Sequence, residues 1–145
     1  GALVVCDGQI IGQGYNQTIN SHDPCGHAEI IALRQAAQTL GNHRLSGCDL
    51  YVTLEPCTMC VGALIHARIR RLVYAASEPK AGAVVSQMQL LEQPYFNHSV
   101  QVISGLMADE SGKMLSNFFK QRRKQHKADK ANSNSITDQS KDAVL

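Results

Sequence analysis

The hydrophobic pattern opens with two short apolar runs, Ala2–Cys6 (ALVVC) and Ile10–Tyr15 (IIGQGY), separated by Asp7-Gly8. Asp-Gly between such runs predicts a tight β-hairpin, because that pair tolerates the positive φ values the turn requires. Ala28–Leu40 (AEIIALRQAAQTL) predicts a helix: it is rich in Ala, Leu and Gln and is stopped by Gly41. Leu50–Leu54 (LYVTL) is a short β-rich strand. Thr58–Ala67 (TMCVGALIHA) predicts a second helix, with Pro56 just ahead of its first turn, where proline is tolerated. Arg71–Ala76 (RLVYAA) and Val100–Ser104 (VQVIS) are two further strands. Residues 77–99 carry Pro79, Gly82 and Pro94 and read as irregular, with a short helix expected at 86–92. A last helix is expected from Ala108 to about Gln125. A leading hairpin, then αβαβ, then β-α, predicts one sheet with helices on its faces.

Composition changes this picture little. A chain of 145 residues with 43% hydrophobic content makes one domain with a normal-sized core. No apolar run approaches the length needed to span a membrane. The five cysteines, Cys6, Cys25, Cys48, Cys57 and Cys60, are an odd number, which argues against a disulfide framework. The chain begins at Gly1, inside an apolar run and without Met, so an upstream targeting segment stays open; the cytoplasm is the default location.

Charge adds more. Residues 1–119 hold 7 Lys or Arg against 9 Asp or Glu, whereas residues 120–131 (KQRRKQHKADKA) hold 6 against 1. A basic block on a mildly acidic body fits either a polyanion such as nucleic acid or a solvated helix end. The domain is therefore expected at 1–125, with a basic and then polar tail at 126–145. Asn132–Leu145 is rich in Ser, Asn and Asp, and disorder is expected there.

The chemistry lies in two segments. His27-Ala28-Glu29 is separated by 26 residues from Pro56-Cys57-Thr58-Met59-Cys60. Zinc favours imidazole nitrogen and thiolate sulfur, and three protein ligands leave the fourth position to water, as catalytic sites do. Glu29 would then carry protons for that water. Both segments fall at predicted helix starts, whose partial positive ends favour thiolates. A lone Cys-x-x-Cys also fits a redox pair or half a zinc knuckle, but no second one follows. Cys25 offers a fourth ligand that would close the site; a small buried residue is preferred, since Pro24-Cys25-Gly26 must turn before the helix. Asn16 ends the second strand, where its amide would orient a base or ribose or serve as a turn residue. Glu55, beside the metal helix, reads as a hydrogen-bonding support or as exposed. His22, His43, His66, His98 and His126 have no partner at ligand spacing. Phe118 and Phe119 are expected to anchor the last helix on the body or on a dimer partner rather than stack on bases.

His-x-Glu with Pro-Cys-x-x-Cys matches the signature of zinc nucleobase deaminases. Longer stretches narrow the resemblance: GALVV, His22-Asp23-Pro24 before HAEIIALRQA, LYVTLEPCTMCVGALIHARI, Lys80-Ala81-Gly82-Ala83, Asn97-His98, and SNFFKQRRK. Over about residues 1–125 the chain resembles the bacterial tRNA-specific adenosine deaminase family of the cytidine deaminase-like superfamily. The resemblance implies a three-layer α/β/α cytidine deaminase-like fold around a central mixed five-stranded sheet. It implies one zinc ion per subunit on His27, Cys57 and Cys60, with Glu29 as proton shuttle. It places Asn16, Ala28, Glu78, Lys80, Arg122 and Arg123 at the substrate, a tRNA anticodon arm whose wobble adenosine becomes inosine. It also implies a homodimer and no membrane association.

The family pattern has a leading helix and the start of the first strand before Gly1, Thr-Ala where this chain has Cys25-Gly26, and Asp-Ala where it has Glu78-Pro79. Two rival functions stay open: a deaminase of free cytosine, cytidine or guanine, and a non-catalytic zinc-stabilised RNA-binding module.

Overall fold

The computed structural model describes residues 1–139, with side chains described as far as Lys130. The chain opens with β1 (Ala2–Cys6) and β2 (Gln9–Gly14), paired antiparallel with Cys6 opposite Gln9. The two residues left in the turn, Asp7 and Gly8, have φ of 47° and 76°, as the Asp-Gly signal requires. β3 (Asp49–Leu54) pairs antiparallel with β1, β4 (Arg71–Ala76) parallel with β3, and β5 (Gln101–Ser104) parallel with β4. The order β2-β1-β3-β4-β5 makes a mixed five-stranded sheet. Only β1 runs against the other four. The carboxyl ends of β2, β3, β4 and β5 therefore share one edge of the sheet, and the loops preceding β3, β4 and β5 share the opposite edge.

Helix α1 (Ala28–Leu40) lies close against β2 because both surfaces lack bulk. A Cβ on Gly12 would overlap the carbonyl of Ala32 and the nitrogen of Ala36; one on Gly14 would overlap the carbonyl of Ala28 and the nitrogen of Ala32. Ala28, Ala32 and Ala36 recur every four residues on the buried face of α1, so small side chains meet missing ones. The helix stops at Gly41, whose φ of 62° is left-handed, with the N–H of Asn42 returning to the Ala37 carbonyl at 3.0 Å. Helix α2 (Thr58–His66) contacts α1 and buries Cys60, Val61, Leu64 and Ile65. Val4, Leu50 and Leu72 of the strands, Leu64 of α2, and the loop residues Leu45 and Ile69 are fully buried and form the centre of the core.

Two compact units divide the chain, Gly1–Ser111 and Gly112–Leu145. The first holds the sheet, α1, α2 and the opening turn of α3 (Ala108–Gln139), which is fastened by the Ser111 hydroxyl donating to the Thr53 carbonyl at 2.6 Å. Of the second, the described residues are the remainder of α3. No break occurs at Gln125: the helix continues to Gln139, beyond the expected end. Lys, Arg, Gln and Ala dominate 120–131 without a Gly or Pro, so nothing in the sequence terminates propagation once it has begun. The polar tail expected over 132–145 is thus helical as far as 139, and 140–145 lie outside the described residues. The helix expected at 86–92 is a single 3-10 turn, Leu90–Glu92. Among the described residues, no helix is long and apolar enough to cross a membrane.

Candidate metal centre and its surroundings

His27 is the N-cap of α1, with extended backbone (φ −75°, ψ 151°), and it makes no capping bond of its own. The cap comes from Asn16, twelve positions before Ala28, whose N–H donates to the Asn16 Oδ1 at 2.8 Å. Asn16 thus ties the end of β2 to the start of α1 and leaves the His27 ring free of that task. Cys57 is the N-cap of α2 (φ −78°, ψ 173°), likewise without a side-chain cap, and Cys60 lies one turn into that helix. His27 Nδ1 is 3.6 Å from both the Cys57 and the Cys60 Sγ, and the two sulfurs are 3.8 Å apart. A tetrahedral zinc with bonds of about 2.05 Å to nitrogen and 2.3 Å to sulfur separates its ligands by about 3.6 Å and 3.8 Å. The three residues therefore fit zinc. No fourth His, Cys, Asp or Glu among the described residues joins the cluster. Cys25 is outside it and exposed, against the expectation of a small buried residue, because the Asp23 carboxylate and the turn it caps hold the Cys25 backbone at the surface.

The environment of Cys60 shows what the cluster needs. Cys60 is fully buried, and burial pushes its thiol well up, with the Glu29 carboxylate and Cys57 adding to the effect. A thiolate here therefore needs a cation beside it. Glu29 is buried, at 9% exposure, in the first turn of α1 two residues after His27, and it faces Cys60. Among the described residues it has neither a salt bridge nor a backbone donor outside its helix.

Glu55 presents the contrast. It follows β3, is buried, and accepts the N–H groups of Glu78 (3.0 Å), Val84 (3.2 Å), Val85 (2.8 Å) and Ser86 (2.9 Å), together with the Ser86 hydroxyl. Burial alone would raise this carboxyl, but the Ser86 hydroxyl and the surrounding N–H groups prevail and hold it down to about 2. A Cβ on Gly82 would collide with the carboxyl group, so a side chain there would displace Glu55 from its donors. The Ala83 N–H donates to the Pro56 carbonyl at 2.9 Å, and Gly82 bridges to Cys57. The 78–86 loop is thereby bound to the segment carrying Cys57. Hydrogen-bonding support is one of the two roles the sequence suggests for Glu55, but its partners lie 23 to 31 residues away and leave no local signal.

The remaining predicted residues sit as follows. Glu78 is half-buried, and its Oε1 accepts the N–H of exposed Lys80 at 2.9 Å. The Ala28 N–H is committed to Asn16. Arg122 and Arg123 are exposed on α3. Phe118 and Phe119 are half-exposed in the single chain, and their rings meet edge to face at 5.5 Å. His98 is satisfied, with Nε2 2.8 Å from the Ile69 carbonyl.

A mixed sheet whose carboxyl edge brings a His/Cys/Cys cluster and a buried glutamate to two helix starts defines a protein of the cytidine deaminase-like class. Known proteins agree. The profile of the MafB19-like deaminases matches residues 1–123. The chain is 48% identical over 139 residues to a tRNA-specific adenosine deaminase of Haemophilus influenzae, covering 95% of this chain and 80% of that protein. It is 42% identical over 132 residues to a tRNA-specific adenosine deaminase of Bacillus subtilis, covering 91% and 82%. A chain solved in a study of A-to-I editing by tRNA:A34 deaminases at the wobble position superposes with a TM-score of 0.76 at 50% identity, over 78% of this chain and 82% of that one. A guanine deaminase from Nitrosomonas europaea superposes at 0.66 with 28% identity, over 81% and 70%. The chain belongs to the tRNA-specific adenosine deaminase family.

Proposed function

We propose that this protein deaminates adenosine to inosine at the wobble position of a tRNA, with water as co-substrate and ammonia as the second product. The observation that carries the reading is the three-ligand cluster with buried Glu29, which makes no salt bridge among the described residues, beside it. His27, Cys57 and Cys60 would hold one zinc ion, which when bound would act as a Lewis acid that lowers the pKa of a water towards neutrality. Glu29 takes the proton from that water as its oxygen adds to C6 of the adenine. It passes that proton to the ring nitrogen, then takes the second proton from the hydroxyl added at C6 and delivers it to the departing amine as the C6–N bond breaks and the C6 carbonyl forms. Asn16 has its carbonyl oxygen committed to α1, so its amide N–H groups remain for the nucleoside. Glu78 and Lys80, on the loop braced by Glu55, border the site, and Arg122 and Arg123 supply charge for the anticodon arm. The base must leave its stack, which costs least in a single-stranded loop.

The protein acts as a homodimer in the cytoplasm in this reading. Val102 and Ile103 on β5 are exposed apolar side chains that a second subunit would cover. Similarity to a guanine deaminase supports a second reading, a free-base deaminase. Incubating purified protein with tRNA, adenosine, cytidine, cytosine and guanine, then analysing nucleosides by mass spectrometry, separates them. Inosine at one anticodon position is expected; product from a free base alone would overturn the tRNA reading.

A further inference from the structure

A second concave surface lies at the edge of the sheet opposite the metal centre. The loops that precede β3, β4 and β5 meet there around an open cavity of about 520 Å³. The metal cluster and the Glu55 cradle follow the carboxyl ends of β2, β3 and β4. The two sites are therefore separated by the length of a six-residue strand, roughly 17–20 Å.

The chemistry of this groove is one-sided. Arg44, Arg68 and Arg70 line it, and no carboxylate and no Phe, Tyr or Trp does. They are three of only seven Lys or Arg in residues 1–119, a stretch that is acidic overall. Among the described residues the Arg44 side chain has no hydrogen-bond or ion-pair partner, whereas Arg68 and Arg70 are held in place. Arg68 sits in the left-handed region (φ 58°) and donates through Nη1 to the Asn97 carbonyl at 3.1 Å and to its Oδ1 at 2.7 Å. Arg70 lies against Asp49 through Nε (2.9 Å) and Nη2 (3.0 Å). Asp49 is buried and shared with Arg71, so one negative charge faces two positive ones. Each guanidinium has five N–H donors, and these bonds leave several unused. The hydroxyls of Ser46 and Ser99 line the same groove. The imidazole of His98, the one ring there, is half-buried and tied to the Ile69 carbonyl.

We propose that this groove is a phosphate-binding site distinct from the metal centre. Its ligand is a phosphate group rather than a base: arginine forks match phosphate oxygens, and no exposed aromatic face offers a base a platform to stack on. RNA backbone phosphates and free phosphate compounds share that chemistry, and the first source rests on the tRNA reading above.

The test has two arms. In the first, inorganic phosphate and then pyrophosphate are titrated into the zinc-loaded protein while the His98 imidazole and arginine Nε–H resonances are followed by NMR. In the second, tRNA affinity is measured at several salt concentrations for wild type, Arg44→Gln and Arg44→Lys. Arg44 carries no structural bond through its side chain, so folding is preserved. For RNA phosphates, Arg44→Gln lowers the salt slope by about 0.7–0.9, and Arg44→Lys, which keeps the charge, retains it. Saturable shifts with pyrophosphate but an unchanged slope assign the groove to free phosphate compounds. No shifts and an unchanged slope overturn the proposal and leave a solvated arginine cluster. Neither arm reads deamination, so a failure to form inosine strikes the catalytic reading alone.

Discussion

Three carboxylates are buried among the described residues, and their surroundings assign them different work. Asp49 is bound by two arginines, and Glu55 by four N–H groups and a hydroxyl. Glu29 has no such donors and faces Cys60, so its lone pairs remain for protons in transit. Glu29→Gln is expected to keep zinc and the folded state and to lose at least about 10²-fold in deamination, measured by metal analysis and initial rates. Near-normal turnover with zinc in place would remove Glu29 from the reaction. Glu55→Gln turns one acceptor into a donor among donors, which costs about 1–3 kcal/mol in thermal or urea unfolding. The sign with pH follows from the lowered pKa. Glu55 sits at about 2 against an ordinary 4.5, so its contribution is complete above 4.5 and is lost as pH falls towards 2. The wild type should therefore lose more stability than Glu55→Gln between pH 5 and about 2.5. Parallel acid limbs for the two proteins would contradict this.

Helix α1 carries Glu29 and begins at His27, and its placement depends on two missing side chains in β2. Gly14→Ala would drive a methyl into the Ala28 carbonyl, one residue from His27, and that obstacle is backbone. The expected cost is about 1–3 kcal/mol of stability together with weaker zinc retention, read by unfolding and by competition with a chelator. Gly62 in α2 is the control, because a Cβ there meets nothing within 4 Å. Gly62→Ala should stabilise by about 0.5–1 kcal/mol, since alanine is the better helix former. If Gly14→Ala matched Gly62→Ala in stability and zinc retention, the close seating of α1 would be irrelevant to the site. The sequence pattern marks Gly12 and Gly14 only as strand residues. The opposing Ala28, Ala32 and Ala36 are visible as a helical stripe, but not as their partners.

Charge is unevenly divided over the whole chain, with a surplus of basic residues in 120–131 and three arginines gathered at one sheet edge. Arg122 and Arg123 are exposed and adjacent in sequence on a continuous helix. Neutralising both should weaken tRNA binding and flatten its salt dependence by about 0.7–0.9 for each phosphate that is no longer neutralised, with zinc content unchanged. Binding isotherms at several salt concentrations measure this. An unchanged slope would make the basic block a solvated helix end and move recognition to the 78–83 loop.

The amino-acid sequence alone determined most of the elements and singled out the His/Cys/Cys group that could hold a metal. Asp7-Gly8, Gly41 and Pro56 punctuate the chain through local φ preferences, and His27, Glu29, Cys57 and Cys60 stand at helix starts by their spacing. These signals are local, which is why α1 and β4 lie where the pattern places them. The run past Gln125 is legible as helix-forming composition as far as residue 131, but the Ser, Asn and Asp of 132–145 point to disorder instead. Tertiary structure decided what depends on distant partners. It set Asn16 capping a helix twelve residues away, Glu55 holding a loop 31 residues on, and Cys25 turned outward. It also brought three arginines from two loops, with Asn97, His98 and Ser99 of a third, to one groove, because parallel strands begin at one edge and end at the other, an order no local signal contains.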